Sequence, residues 1–167
     1  MASTYEPIAT TTLGSATNTF TFSGISSAYT DLRLIARITG ATATSDAGLK
    51  LNNDASTIYY QTTFRGNGAV AVTDSVATNS SFYANLSADL GNNYAVITFD
   101  FLSYANSTYK TCLSTFNSDR NGSGYVVQLG NLYRSTNAIN RIDLFLFNAA
   151  HTFNVGSSVT LYGILRA

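Results

Sequence analysis

His151 and Cys112 are the only histidine and the only cysteine among 167 residues, so a Ser-His-Asp or a Cys-His catalytic arrangement would have to use His151. Residues 148–154 around the histidine contain no carboxylate, although a partner could come from elsewhere in the chain. One histidine and one cysteine cannot supply a four-ligand zinc site without several carboxylates. The Asn-Asn-Asp stretch at 52–54 could hold calcium, but it matches no known motif. We therefore expect no enzymatic activity, no metal and no other cofactor.

Asp100 and Asp143 are the acidic residues that stand inside strongly apolar stretches. Two carboxylates facing each other across a cleft would suit glycoside hydrolysis. A buried carboxylate also needs a partner for purely structural reasons. We favour this second reading, with Arg33, Arg37 or Arg141 as the partner across a sheet or a subunit boundary.

Aromatic residues are the more informative class, because the chain has 11 tyrosines and 10 phenylalanines but no tryptophan. Tyrosine is enriched at protein interfaces, and aromatic rings also stack on sugars. The alternative is that most of these rings pack in the core or pair across strands. The candidate contact residues are Tyr5, Pro7, Tyr29, Tyr59, Tyr60, Tyr104, Tyr125 and Tyr133, and Tyr83 belongs to the same set of tyrosines expected to be exposed.

Tyr94 to Tyr104 is the stretch that predicts the framework around these residues. Ala95, Ile97, Phe99 and Phe101 recur at every second position, which is typical of a strand with one buried face. We expect it to be a central strand. Similar runs follow at 108–116, 125–133, 139–147 and 158–166, and turn residues separate them, which predicts a meander. The run at 139–147 is apolar on both faces, which predicts a strand buried on both sides.

The whole chain contains nine or ten such short runs and no convincing helical stripe. The signal is weak between residues 69 and 91. Residues 1–15 are predicted to be an extended arm or an edge strand, because Pro7 cannot donate to a sheet ladder. Residues 16–167 are predicted to form a single domain. The expected fold is all-β, an antiparallel β-sandwich resembling a jelly roll.

The charge balance argues against several partners. Nine basic and nine acidic residues give a formal net charge of +0, and charged residues make up only 11% of the chain. An electrostatic grip on nucleic acid or on an anionic membrane is therefore not expected. No signal peptide or membrane-spanning stretch is visible. A neutral protein tends to self-associate, which favours an oligomer.

Two stretches resemble a known group of proteins. Residues 5–36, which begin Tyr-Glu-Pro-Ile-Ala-Thr-Thr-Thr-Leu-Gly-Ser-Ala, and residues 158–164, Ser-Val-Thr-Leu-Tyr-Gly-Ile, resemble small virion structural proteins of tailed bacteriophages. The resemblance implies a β-sandwich that often trimerises and serves as a capsid decoration (cement) protein, a head fibre or a tail-fibre tip. It covers both ends of the chain and transfers no functional residue.

The resemblance leads to one favoured expectation and two rivals. We expect a homotrimer that binds the major capsid protein or another virion protein non-covalently, in virions assembled in the bacterial cytoplasm. A tail fibre needs a shaft or an attachment domain, and this chain is nearly all sandwich, so the head is favoured. The first rival is a fibre-tip or spike-tip domain that binds host glycans. The second is a glycan hydrolase, which would need a carboxylate pair in a groove.

Overall fold

The computed structural model describes residues 4–40, 46–84, 94–119 and 124–165, and within these ranges it contains twelve β-strands and no helix. Their bounds are β1 Tyr5–Thr12, β2 Thr19–Ser23, β3 Asp31–Ile38, β4 Ala47–Leu51, β5 Tyr59–Gly66, β6 Ala71–Asn79, β7 Phe82–Tyr83, β8 Ala95–Leu102, β9 Lys110–Asp119, β10 Gly124–Tyr133, β11 Arg141–Leu146 and β12 Ser158–Ile164.

The strands form two antiparallel sheets that pack together. The large sheet has eight strands in the order β1-β12-β3-β8-β9-β10-β5-β6, and the small sheet has four in the order β2-β11-β4-β7. The prediction of an all-β antiparallel sandwich is therefore confirmed. The number of strands was underestimated, because the weak region yields β6 and β7. Residues 85–93 lie outside the described part of the chain.

The connections follow a regular scheme once two hairpins are set aside. Without β5–β6 and β9–β10, two four-stranded sheets remain, in the orders β1-β12-β3-β8 and β2-β11-β4-β7. Along the chain each of these strands is followed by one in the opposite sheet, except that β4 and β7 are neighbours in the small sheet and that β12 is the last strand. The two hairpins lie side by side and extend the large sheet.

Strand β8 has the central place that its sequence predicts, since it is fourth of eight between β3 and β9. Ala95, Ile97, Phe99 and Phe101 are fully buried on the face that meets the small sheet. The predicted meander, however, is correct only for β8, β9 and β10. The strand β11 crosses to the small sheet between β2 and β4, and β12 returns between β1 and β3.

The prediction that residues 139–147 are buried on both sides holds for only one face of β11. Ile142, Leu144 and Leu146 are buried against the large sheet. On the opposite face Asp143 is buried but Phe147, just beyond the strand, is 44% exposed. The small sheet therefore has an outward face that is only partly covered.

The edge strands of the large sheet are β1 and β6. Two alternatives were predicted for the N-terminal residues, an extended arm or an edge strand. The structure shows the edge strand, because β1 pairs with β12. Its register shifts between Pro7 and Ala9, next to the residue that lacks a donor. Nearly every side chain of β1, and every one from Ala71 to Val76 in β6, is exposed.

The core between the sheets contains a polar row as well as apolar side chains. The Gln61 side-chain amide donates to the side-chain oxygen Oδ1 of Asn131 (2.8 Å) and to the backbone carbonyl of Tyr83 (2.7 Å). The Asn131 amide donates in turn to Ser114 Oγ (2.9 Å). This row links the large sheet to β7 in the small sheet, and every described partner in it is satisfied by hydrogen bonds, as buried polar groups require.

Candidate contact face of the large sheet

The outer face of the large sheet, meaning the face turned away from the small sheet, carries a neutral row of side chains. Strand register places one residue from each of the eight strands in this row, which runs Thr10, Thr160, Ile35, Thr98, Thr115, Gln128, Phe64 and Thr73. Hydroxyls of neighbouring threonines bond across the strands, Thr10 to Thr160 at 3.0 Å and Thr98 to Thr115 at 2.6 Å. Hydroxyls and apolar groups, not charges, thus dominate this row.

Among the charged groups on the outer face, Arg33 and Asp100 neutralise each other, whereas Arg37 contacts an aromatic ring and keeps its charge. The Arg33 guanidinium donates to both oxygens of Asp100, from Nε at 2.5 Å and from Nη2 at 2.8 Å. This bidentate bond raises the pKa of Arg33 and outweighs the opposing effect of burial. The Arg37 guanidinium lies 3.3 Å from the centre of the Tyr94 ring, in a cation–π contact. The face therefore offers little net charge to a partner.

Both strand carboxylates pair with arginines named in the prediction, but the predicted pairing across the sheet holds only for Asp100. Asp100 pairs with Arg33 across β3 and β8, whereas Asp143 pairs with Arg141 within β11, at 2.8 and 2.9 Å. The Thr21 hydroxyl also donates to Asp143, at 2.7 Å. Each carboxylate is therefore held by an arginine fork.

Apolar side chains project from the outer face into solvent. Leu113 is 61% exposed and Val126 is 62% exposed, although both lie in the interior of long strands. Phe64, Val96 and Leu102 are exposed on the same face. Exposed apolar groups are common singly, but a set of them on one flat sheet is typical of a contact surface.

A hollow marks the middle of the outer face, at Gly130 in β10. Gly130 is flanked across the strands by Thr62 and Leu113. On one side is a space of about 330 Å³ lined by Phe64, Asp100, Leu113 and Gln128 among others. On the other side a space of about 450 Å³ reaches towards β6. The hollow exists because the strand has no side chain at this position.

Five of the eight predicted contact residues are exposed or half-buried, namely Tyr5, Pro7, Tyr29, Tyr60 and Tyr125. Tyr5 stacks on Tyr162 with ring centres 4.7 Å apart. The Tyr60 hydroxyl accepts a hydrogen bond from Arg134 at 3.0 Å. The Tyr29 ring packs against Gly163 of β12. Their role as contact residues stays a prediction.

The prediction was wrong about the exposure of the other three, because Tyr59, Tyr104 and Tyr133 are fully buried. The Tyr59 hydroxyl accepts from the Leu51 N–H (3.1 Å), and its single proton has the carbonyls of Leu51 (3.2 Å) and Asp54 (3.0 Å) within hydrogen-bond distance. The Tyr133 hydroxyl donates to the Asp54 carboxylate at 2.8 Å. A phenol can enter the core when its hydroxyl finds partners there, and composition does not reveal those partners.

Burial keeps these phenols neutral. It raises the pKa of Tyr133 to about 12, assisted by the hydrogen bond to Asp54. Burial likewise raises the pKa of Tyr59 and of Tyr104. Tyr83 is half-buried, and its pKa is raised by burial and by its hydrogen bond to Asp46. The hydroxyls of these four tyrosines bond groups of the same chain, so these residues contribute to the fold.

The residues considered for catalysis or metal binding have other partners. His151 Nε2 lies 3.3 Å from the Asn148 amide, and its Nδ1 has no hydrogen-bond partner among the described residues. Cys112 is buried, as expected for a small core residue, and burial raises the pKa of its thiol. The Asp54 carboxylate accepts from Ser56 and Tyr133. In the described ranges no three His, Cys, Asp or Glu side chains cluster as metal ligands.

Two features of the large sheet were missed by the sequence analysis, one on its inner face and one on its outer face. Lys110 is buried, and its ammonium donates to the carbonyls of Asn106, Thr108 and Thr136. Desolvation lowers the pKa of this lysine. Its alternation with Cys112 would have placed it on the inner face. The second feature is Gly130, which a glycine inside an otherwise regular strand pattern would have signalled.

No protein-family model matches the chain, and no curated protein matches it significantly. Among the residues that the structure describes, no helix has the length and apolar character needed to cross a membrane.

Proposed function

We propose that this chain is a structural protein of a bacteriophage virion and that it attaches non-covalently to the capsid as a decoration, or cement, protein. The observation that carries the proposal is the outer face of the large sheet, which is uncovered, nearly neutral and rich in exposed apolar side chains. The resemblance of residues 5–36 and 158–164 to virion proteins supplies the class of partner. That partner is the major capsid protein or another virion protein, and the chain is located in the virion.

The topology supports the same proposal. The sheet orders β1-β12-β3-β8 and β2-β11-β4-β7, with every connection except β4 to β7 crossing between the sheets, are the arrangement of a jelly roll. We assign the sandwich to this class. Jelly rolls occur in viral capsid domains and in lectins. Because a fold does not determine a function, the topology agrees with both candidates below and does not separate them.

Attachment through the outer face would be driven by apolar burial. Burying apolar surface contributes about 25 cal/mol per Å², and stable interfaces bury roughly 1,200–2,000 Å² in total. Threonine hydroxyls and Gln128 can exchange water for hydrogen bonds to a partner without the desolvation cost of an unpaired charge. A static shell contact needs this combination, and a nucleic-acid or membrane surface would instead favour unpaired basic groups.

The proposed assembly is a homotrimer without enzymatic activity. Both edge strands of the large sheet are exposed, and pairing or covering such edges is a common role of neighbouring subunits. The two carboxylates considered for hydrolysis, Asp100 and Asp143, are engaged by arginines. Size-exclusion chromatography with light scattering tests the trimer, and a strict monomer that also fails to bind particles would refute the assembly.

Co-sedimentation with phage particles that lack the chain tests the attachment. Wild-type protein is expected to pellet with the particles. Leu113→Lys and Val126→Lys place unpaired charges on the outer face and are expected to abolish pelleting while the variants stay folded. Val155→Lys changes an equally exposed valine in the loop before β12 and is the matched control. Pelleting that survives both outer-face changes would contradict the proposal.

The second candidate is a tail-fibre or spike-tip domain that binds host surface glycans. The hollow at Gly130 favours it, because the hollow combines an exposed aromatic ring with neutral hydrogen-bonding groups. Binding of the labelled protein to whole host cells, competed by soluble host polysaccharide, would support this candidate. Binding to capsids without binding to cells would support the first.

A further inference from the structure

Gly130 stands inside a regular strand for which the fold itself does not require glycine. The ladder of β10 runs without a register shift on both sides, to β5 and to β9. Gly130 is absent from the residues with positive φ, and a Cβ added there would meet no atom within 4 Å. Gly163, in contrast, is pressed against the Tyr29 ring, so internal packing explains it.

Glycine inside a strand weakens it, and it often marks a place where a ligand or another backbone approaches closely. Neither backbone conformation nor internal packing accounts for Gly130. The physical reason that remains is the close approach of a ligand or of another chain to this strand. The hollow that it opens has the volume of a small-molecule site, about 330 Å³ on the side of Phe64.

The walls of this hollow determine what it can hold. Phe64 is 54% exposed and offers an aromatic surface, and Leu113 closes the side across Gly130. Gln128 supplies an amide donor and acceptor, and Thr115 supplies a hydroxyl. The Asp100 carboxylate also lines the hollow, and its charge is compensated by Arg33 while its remaining lone pairs can accept further bonds.

We propose that the hollow at Gly130 binds one neutral sugar ring, with an apolar face of the pyranose on Phe64 and its hydroxyls bonded to Gln128 and Asp100. A charged ligand would meet no free counter-charge there, because Arg33 pairs with Asp100, and a purely apolar one would leave the Gln128 amide without a partner. The inference rests on the second candidate function and goes beyond it by naming the site and the ligand class.

The test is an NMR titration of the purified protein with the methyl glycosides of glucose, galactose, mannose and N-acetylglucosamine. At least one is expected to shift backbone amide signals of β5, β9 and β10 around Gly130. Gly130→Val fills the hollow with a residue suited to a strand and is expected to weaken that sugar at least ~10-fold, about 1.4 kcal/mol. Phe64→Leu removes the stacking surface and is expected to weaken it too.

Gly14→Val is the matched control, because Gly14 is also exposed with no atom near its missing Cβ, and it lies in a loop. It is expected to bind the sugar as wild type does. The proposal is overturned if none of the four sugars shifts these signals, or if Gly130→Val binds as tightly as wild type. Absent shifts together with normal pelleting on phage particles would reject the sugar site alone, whereas sugar binding without pelleting would reject the capsid role alone.

Discussion

The hydroxyl of Tyr59 lies at the centre of three hydrogen-bond contacts inside the core, to the N–H and carbonyl of Leu51 and to the carbonyl of Asp54. The centres of the Tyr133 and Tyr59 rings lie 4.8 Å apart, and the Tyr133 hydroxyl donates a hydrogen bond to the Asp54 side chain. These two phenols tie β5 and β10 of the large sheet to the end of β4 in the small one. Single polar atoms therefore contribute to holding the two layers together.

Tyr59→Phe removes this hydroxyl and leaves the Leu51 N–H buried without a partner. We expect the free energy of unfolding to fall by about 1–3 kcal/mol, the cost of a buried unsatisfied group. Urea unfolding followed by circular dichroism measures it. Tyr60→Phe, on the outer face, is the control and is expected to stay within about 0.5 kcal/mol of wild type. Equal losses in both variants would contradict this account of the core.

Alkaline pH should unfold the protein through the same tyrosines. The pKa of Tyr133 is raised to about 12 in the folded state, against about 10 in an unfolded chain. Below pH 10 both states are protonated, so this contribution to stability is complete. As pH rises from about 10 to about 12 only the unfolded state loses the proton, and stability is lost.

Urea midpoints measured at a series of pH values test this prediction, with tyrosinate absorbance followed in parallel. The decline in stability above pH 10 is expected to be shallower in Tyr133→Phe, because that variant lacks one of the shifted groups. A wild-type midpoint that stays flat through this range would contradict the prediction.

Strand alternation explains which elements were predictable. In β8 and β3 each inward residue is apolar, and Leu32, Leu34, Ala36 and Ile38 are fully buried as the alternation predicts. The partners of β11 and β12 were not predictable in this way, because neighbours in a sheet are chosen by contacts between residues far apart in sequence. The meander prediction failed there, since it assumed that consecutive strands stay side by side.

Glycines at strand positions give the sharpest prediction about the elements. Cβ atoms added at Gly163 and Gly48 would lie 2.3 Å from the Tyr29 ring and 2.6 Å from the Phe145 ring. We expect Gly163→Ala and Gly48→Ala each to destabilise the protein by about 1–3 kcal/mol through overpacking. Gly130→Ala meets no atom and is expected to gain about 0.4–1 kcal/mol.

Thermal or urea unfolding of the three alanine variants measures these effects under one set of conditions. The ranking is the informative outcome, because the same chemical change is made at three strands. A stable Gly163→Ala variant would show that the Tyr29 ring can move aside. A destabilised Gly130→Ala variant would show that the fold itself needs glycine there and would remove the main argument for a ligand in the hollow.

At the scale of the whole molecule, the two sheets differ in their number of strands, and this difference decides which strands of the large sheet stay exposed. Four strands cannot cover eight, so β1 and β6 remain exposed on both faces. The outer face of the large sheet is likewise left to solvent or to a partner. The formal net charge is +0 and Arg33 pairs with Asp100 on that face, so the docking proposed above would depend mainly on apolar and neutral polar contacts.

Attachment to phage particles is therefore expected to resist salt. Screening at high ionic strength weakens interactions between exposed charges, but it leaves apolar burial intact, and sulfate strengthens it. Co-sedimentation in low salt, in concentrated sodium chloride and in ammonium sulfate is the measurement. The bound fraction should stay constant or rise, and release by sodium chloride would mean that charged groups carry the contact.

Period-two alternation was readable from the chain alone, and with it the all-β class, the burial of the β8 residues and the need of Asp100 and Asp143 for cationic partners. These follow from local rules, because successive side chains of a strand point to opposite faces and a carboxylate among apolar neighbours must be compensated. Three-dimensional packing alone settled which strands pair, which tyrosines enter the core and that Gly130 opens onto a hollow. Each of these depends on contacts between residues that are far apart in the chain, and no local sequence pattern specifies such contacts.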